Sequence, residues 1–314
     1  MSHQPLYRRF CTEAPADFPL FMQDWYLDAV CEGGQWDAVV LEKAGQVAAV
    51  WPYFLKKKLA WAYVAMPPLA RMMGPYILPA WRNLRKEPGI MEELISQLPT
   101  GLAAFEQDFP YQVSNWLPFY WKGFRQSTRY SYVLKINDLN KVWSHISADY
   151  RNQKIPKAQQ LVDVKTGCAL AEFIQIHNGS FERQGLQAPV STALLTRLDA
   201  ALAERKQREI FMAVDRETGA VHAVGYLVWD AHAAYLLMAG DDPERRTSGA
   251  GILLIWEMIR YAHDVLQLPL FDFLGSMLRP VERVRRQFGA SQQPYFRLRR
   301  EWSVLFRVGK ILFR

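Results

Sequence analysis

The sequence predicts an α/β protein made of two units in tandem, and three observations lead there. An amphipathic helix followed by a strand, a tight turn and a second strand occurs at residues 20–54 and again, about 170 residues later, at 192–229. The second half continues with an apolar strand at 234–240, a polar loop containing glycines, an apolar helix at 252–266 and a further strand at 270–274. With 314 residues, 50% of them apolar and 11 of them Trp, the chain can bury a large core and exceeds one ordinary domain. Duplication of one α/β unit accounts for all of this.

Each element follows from its local pattern. Residues 20–31 carry the apolar spacing of a helix, and residues 36–43 and 46–54 are apolar strands joined by the turn Lys43-Ala-Gly45-Gln46. Residues 65–75 contain prolines where a helix would have to begin or continue, and no Gly-x-Gly. The first half is therefore expected to keep the architecture without a phosphate loop. A segment at 81–86, a helix near 89–105 and strands at 111–117 and 130–136 complete it, and residues 139–160, charged and helix-favouring, link the halves. The expected units are 1–145 and 146–314. In the second unit a helix at 192–206 precedes a hairpin that turns at Arg216-Glu-Thr-Gly219.

Composition narrows the function classes. No apolar run reaches the roughly 20 residues of a membrane span, and the start MSHQPLYRRF lacks a signal-peptide core, so a cytoplasmic protein is expected. Cys11, Cys31 and Cys168 form no CxxC pair, which argues against a zinc site or a disulfide framework, and the histidines do not fall at metal-ligand spacing. The net charge of +7 is concentrated at the end: residues 279–314 hold ten Lys/Arg and two Glu, a net +8, so the first 278 residues sum to −1. Such a patch suits nucleic acid, anionic headgroups or a polyphosphate substrate.

The loop Arg246-Thr247-Ser248-Gly249-Ala250-Gly251 stands between a strand and a long helix, where free N–H groups and the positive end of the helix dipole can hold a phosphate. Glycines let the anion approach, and Arg246 adds a charge-assisted fork. This order of strand, Arg-x-x-Gly-x-Gly loop, helix and strand resembles the acyl-CoA-binding segment of GNAT acyltransferases. The resemblance sharpens with Tyr150-Arg-Asn-Gln-Lys-Ile-Pro-Lys-Ala158 between the halves, Phe181-Glu-Arg-Gln-Gly185, Phe271-Asp-Phe-Leu-Gly-Ser276, and Gln287-Phe-Gly-Ala290 before a strand at Tyr295. Together these are similar to the FemAB-like, tandem-GNAT group. The resemblance implies two GNAT-like domains, each a mixed, mostly antiparallel sheet flanked by helices, and N-acyl transfer from an acyl-CoA to a small-molecule or lipid-linked amine in cell-envelope or polysaccharide synthesis. A backbone N–H in residues 236–240 would polarise the acyl carbonyl. Aminoacyl-tRNA is the alternative donor, although no heptad stretch provides the helical arm of the peptidoglycan-building members. A non-catalytic binding module derived from the fold is the alternative of a different class.

Asp272, at the exit of an apolar strand, is the candidate base or amine anchor, with Tyr235 and Ser276 as further catalytic candidates. A helix cap or an ion pair with a nearby arginine is the competing role for the aspartate, and a cap for the serine. Arg246, Thr247, Ser248, Gly249, Ala250 and Gly251 are the donor-binding candidates. Arg151, Lys154 and Lys157 share a face at three-residue spacing and, with Tyr295, are the acceptor candidates, against the reading that they are solvated surface charges. Residues 301–314 place Val304, Leu305, Val308, Ile311 and Leu312 on one side of a basic helix, suited either to the protein's own core or to an anionic membrane at its inner face.

Overall fold

The structure, a computed structural model, describes residues 2–182, 185, 188, 190–275, 277–303, 305 and 306. The chain forms two compact units, Met1–Arg129 with Pro294–Arg314, and Tyr130–Gln293. This division is discontinuous and differs from the expected boundary at 145.

The first unit opens with α1 (Gln4–Thr12) and α2 (Asp24–Val30), then the hairpin β1 (Gln35–Lys43) and β2 (Gln46–Lys58), β3 (Trp61–Ala65) and a short β4 (Tyr76–Ile77). Next come α3 (Glu87–Ser96), β5 (Leu102–Asp108) and α4 (Leu117–Trp121). The hairpin matches its sequence pattern. The helix expected at 89–105 instead stops at Ser96, because Pro99 and Gly101, the latter at φ +75°, break it and residues 102–108 pair as a strand. The strand expected at 111–117 is absent: Pro110 turns the chain, and α4 begins at Leu117.

The second unit contains most of β6 (Arg125–Lys135), then α5 (Leu139–His145), a π turn at Tyr150–Lys154, α6 (Ile155–Leu161) and β7 (Val162–Lys165). It continues with α7 (Leu170–Glu182), α8 (Thr192–Glu204), β8 (Arg208–Asp215), β9 (Val221–Trp229) and β10 (Ala233–Asp241). Finally come α9 (Ala250–Asp264), β11 (Leu270–Asp272), α10 (Arg279–Gln287) and the start of β12 (Ser291–Glu301), which runs on into the first unit.

The two units repeat one topology. In the first, β1, β2, β3, β5 and β12 lie side by side, with β4 also on β2; β3 and β5 are parallel and the other pairs antiparallel. In the second, β8, β9, β10, β11 and β6 occur in the same order, with β10 and β11 parallel, and β7 extends the sheet beyond β8. Each parallel pair is bridged by its helix, α3 or α9. The last strand of each repeat is exchanged: β6, which follows the first half, pairs β11, and β12, which follows the second, pairs β5.

In the first unit Trp51, Phe105, Phe109 and Phe119 fill one face, and the Trp51 indole donates to Gln107 Oε1 at 2.7 Å. Glu301 closes β12 opposite Ala104 rather than opening a helix, because its backbone is taken into the sheet. Phe306 then packs 5.1 Å from Tyr63 and 5.9 Å from Trp61. Of the tail residues expected to form a helix, Val304 and residues 307–314 lie outside the described residues.

In the second unit alternate residues of β9 face opposite layers. Tyr226 meets Phe173 of α7 at 5.5 Å and donates to Asp199 of α8 at 2.6 Å. Gly225 faces α9, where an added Cβ would overlap the Met258 side chain and come within 2.8 Å of Leu254 Cδ2. The glycine thus sets how closely α9 lies on the sheet. Gly225→Val should cost about 1–3 kcal/mol by overpacking, read as a lower midpoint of thermal or urea unfolding; an unchanged midpoint would show that α9 is not held this closely.

Candidate functional site

The site is produced by two strands that stop pairing. β10 and β11 are matched only from Ala233 opposite Leu270 to Tyr235 opposite Asp272. One residue further on, β10 carries a bulge against β9: Leu236 faces Leu227 and Met238 faces Tyr226, which leaves Leu237 as the extra residue. A bulge bends its strand and re-aims the residues beyond it. β11 turns the other way. Leu274 and Gly275 take φ of +54° and +63°, and Phe273 donates its N–H to Tyr132 of β6 at 3.0 Å. A Cβ at Gly275 would come within 2.6 Å of the Tyr130 carbonyl, so this turn needs glycine for both space and angle.

Between the diverging strands lies a cleft of about 640 Å³. Residues 236–241 of β10 form one wall; Phe273 and Pro280, Val281 and Val284 of α10 form another. At one end stand Arg246, Thr247, Ser248, Gly249 and Gly251, with Lys154 and Lys157 facing them. Lys157 Nζ donates to the Thr247 carbonyl at 2.9 Å and ties α6 to the loop. The Ser248 hydroxyl accepts from Ala250 N–H at 3.2 Å, closing one of the free donors of the first turn of α9. Gly249 sits at φ +78°, and a Cβ there would lie 2.8 Å from the Lys154 carbonyl. At Gly251 the added Cβ would overlap the Asp241 carboxylate. Gly249 is therefore required by its own backbone angle and by a backbone neighbour, while Gly251 leaves room for the Asp241 carboxylate where it stands, both apart from any ligand.

Among the named candidates, the cleft gathers Arg246, Thr247, Ser248, Gly249, Gly251, Lys154 and Lys157, while Ala250 is buried behind the loop. The remaining candidates have other surroundings. Asp272 is 2% exposed; its Oδ1 accepts from the Ser131 hydroxyl at 2.6 Å and from Leu274 N–H at 2.7 Å, so it fixes the turn by which β11 leaves β10. The Tyr235 hydroxyl donates to Asp230 in the β9–β10 turn at 2.8 Å, and burial holds its pKa well above the usual phenol value. Arg151 donates to the Ser144 carbonyl at 2.9 Å and closes the end of α5. Tyr295 belongs to the first unit, 6.2 Å from Tyr111, and burial raises its phenol. Ser276 lies outside the described residues. His177, stacked on Phe173 at 5.3 Å, has its imidazole pKa lowered by burial. Among the described residues no group of three or more His, Cys, Asp or Glu is arranged to hold a metal ion.

Sequence reasoning passed over Asp241. It ends β10 in Gly240-Asp241-Asp242, a visible but ordinary acidic pair, and only the fold brings it against the start of α9. Burial holds its carboxyl above the usual carboxylate range, with Arg246 pulling the other way. As pH falls through that raised pKa the carboxyl takes up a proton and the cationic end of the cleft loses the negative charge beside the start of α9. An anion should therefore bind more tightly on the acid side. Asp241→Asn should bind inorganic pyrophosphate up to about tenfold more tightly than the parent at high pH and converge with it at low pH, as measured by calorimetry. Parallel pH profiles for the two proteins would remove Asp241 from the anion site.

Residues 150–295 match the family described as acetyltransferase (GNAT) domain. No curated protein matches the sequence. Among solved structures, FemX is similar with a TM-score of 0.68 and 12% identity over 93% of this chain and 95% of its own. A tandem GNAT protein from the clavulanic acid biosynthesis pathway is similar with a TM-score of 0.58 and 15% identity, over 95% and 94%. The C-terminal domain of a putative lysylphosphatidylglycerol synthetase from Agrobacterium fabrum gives a TM-score of 0.58 and 12% identity, over 94% and 92%. These likenesses are of fold, and they agree with the repeated topology and the splayed parallel strands. Residues 150–295 match the acetyltransferase (GNAT) domain family, and the chain has the fold of FemX and of the tandem GNAT protein.

Proposed function

We propose that the second unit transfers an acyl group from a CoA thioester to an amine, carried by a small or lipid-linked acceptor of cell-envelope or polysaccharide synthesis. The observation that carries this reading is the cleft itself, open between β10 and β11 and ending on Arg246, Lys154, Lys157 and the first turn of α9. A thioester donor has a polyanionic end and an uncharged reacting end. The cationic end suits the first, and the stretch beyond the bulge suits the second, because residues 236–240 leave the partnership with β11 there. A backbone N–H of that stretch would hold the carbonyl oxygen as the amine attacks carbon; the C–S bond breaks and the thiolate leaves with the amine proton.

No side chain is given the role of base in this proposal. Asp272 and Tyr235 are engaged in the turns at either end of the strands, and their effect on the reaction would come through the shape of the cleft. A second reading is supported by Asp241, since an ionised carboxylate near the loop favours a cationic group such as the ammonium of an aminoacyl ester over a pyrophosphate. Aminoacyl-tRNA would then be the donor.

Native mass spectrometry of freshly purified protein separates the two donors, with a retained CoA species expected. Arg246→Ala should weaken CoA by about 5- to 20-fold in calorimetry, the loss of one charge-assisted contact at an exposed position. Gly249→Val is unsuited to this test, because it would strike the Lys154 carbonyl and disturb the fold. Copurifying tRNA with no CoA binding would overturn the CoA reading in favour of the second.

Peripheral membrane contact through the basic end of the chain belongs to the same proposal, since it would bring lipid-linked acceptors near. Among the described residues no helix is long and apolar enough to cross a membrane. Phe306 is packed on Trp61 and Tyr63, so the informative truncation is after Phe306. Full-length protein should cosediment with anionic liposomes in a salt-sensitive way and the truncated protein should not; equal sedimentation of both would remove the tail from this role.

A further inference from the structure

Resting on the CoA-thioester reading, we infer that the acyl group taken by the cleft is an apolar chain, laid from the point where β10 and β11 diverge along the first turn of α10. Three observations carry this. The cleft is divided chemically: apart from Arg285, which is turned to the Phe273 carbonyl, its charged and hydroxyl side chains gather at the α9 end, whereas the walls beside the bulge are Leu236, Leu237, Met238 and Phe273, faced by Val281 and Val284. Next, α10 is fastened at this point, because Arg285 Nη2 donates to the Phe273 carbonyl at 2.8 Å. Val284 and Val281, one and four residues earlier on the same helix, therefore stand beside the end of β11, where the reacting carbonyl would lie.

The third observation is exposure. Leading into α10, Met277 is 53% and Leu278 67% exposed, and Val281 on its first turn is 37% exposed. The rest of that helix is mostly charged, with Arg279, Glu282, Arg283, Arg285 and Arg286, so the apolar residues form a compact lip on a polar element. Proteins leave contiguous apolar side chains in water mainly where a ligand covers them. Here Val281 belongs both to the lip and to the cleft lining, and a chain extending from a thioester at the bulge would pass Val281 before it reached the rest of the lip. An acetyl group would reach neither Leu278 nor Met277.

The test is calorimetry of the full chain with free CoA, acetyl-CoA and octanoyl-CoA. Octanoyl-CoA is expected to bind at least about tenfold more tightly than acetyl-CoA, since each buried methylene adds to affinity. Val281→Asp, at an exposed position, should bring the ratio between these two ligands to within about twofold, and Leu278→Asp should reduce it in the same direction should the first variant fold poorly. Octanoyl-CoA and acetyl-CoA binding equally to the parent, while free CoA still binds, would overturn this inference and leave the donor reading intact; it would also return the lip to an apolar acceptor. A preference for octanoyl-CoA that survives in both variants would overturn the placement on α10. If no CoA species binds, the donor reading fails and this inference with it.

Discussion

The separation of β10 from β11 is the constraint on which the second unit depends. Parallel strands left to themselves would continue their ladder and close the sheet; here pairing ends after three residues on each strand. Two local devices keep it ended. The extra residue at Leu237 bends β10 away on one side, and the buried Asp272 carboxylate, holding Ser131 and Leu274, folds β11 toward β6 on the other. A buried carboxylate is costly unless its acceptors are satisfied, so these hydrogen bonds both stabilise Asp272 and fix the direction of the turn. The backbone groups released by the lost ladder are what a substrate can use.

The same repeat in the first unit has β3 and β5 bridged by α3, but the segment before that helix differs in kind. In the second unit a 3₁₀ turn leads through Gly249 directly into α9, whereas in the first the 3₁₀ turn Pro79–Trp81 is separated from α3 by residues 82–86, and α3 is preceded by Lys86 in ordinary helical geometry. A lysine there cannot take the left-handed conformation of Gly249 without strain, so the close meeting of loop, helix and Lys154 carbonyl has no counterpart. Exchange of the last strands makes each repeat's sheet complete only with a strand from the other half of the sequence.

Charge in the cleft is balanced more finely than its basic residues suggest. Arg246, Lys154 and Lys157 would by themselves make a strong anion site, but Lys154 is paired with Asp149 at 2.9 Å, Lys157 is bonded to the Thr247 carbonyl, and Asp241 stands beside the helix start. The attraction for a ligand therefore depends on how the Asp241 carboxyl is protonated and on contacts beyond the charged end, where the walls are apolar. That division of labour makes the uncharged part of a donor a natural carrier of specificity.

Much of this was legible in the sequence. The hairpins at 35–58 and 208–229, the helix after Gly249 and the loop before it follow from alternation, turn glycines and helical periodicity, which are local properties. So was the duplication, because both copies keep the same order of patterns. What the sequence did not decide is where side chains point once strands pair. Asp272, Tyr235, Arg151 and Tyr295 are plausible cleft residues by type, yet the exchange of β6 and β12 brings Asp272 to Ser131 and Tyr295 to Tyr111, while Tyr235 and Arg151 bond Asp230 and Ser144 a few residues away. Asp241, unremarkable as one of two adjacent aspartates, enters the site because Gly251 leaves it room. Local pattern determines which segments are helix and strand; only the pairing of segments distant in sequence decides which groups share a cleft, since a single bulged residue is enough to reverse the face on which every later side chain lies.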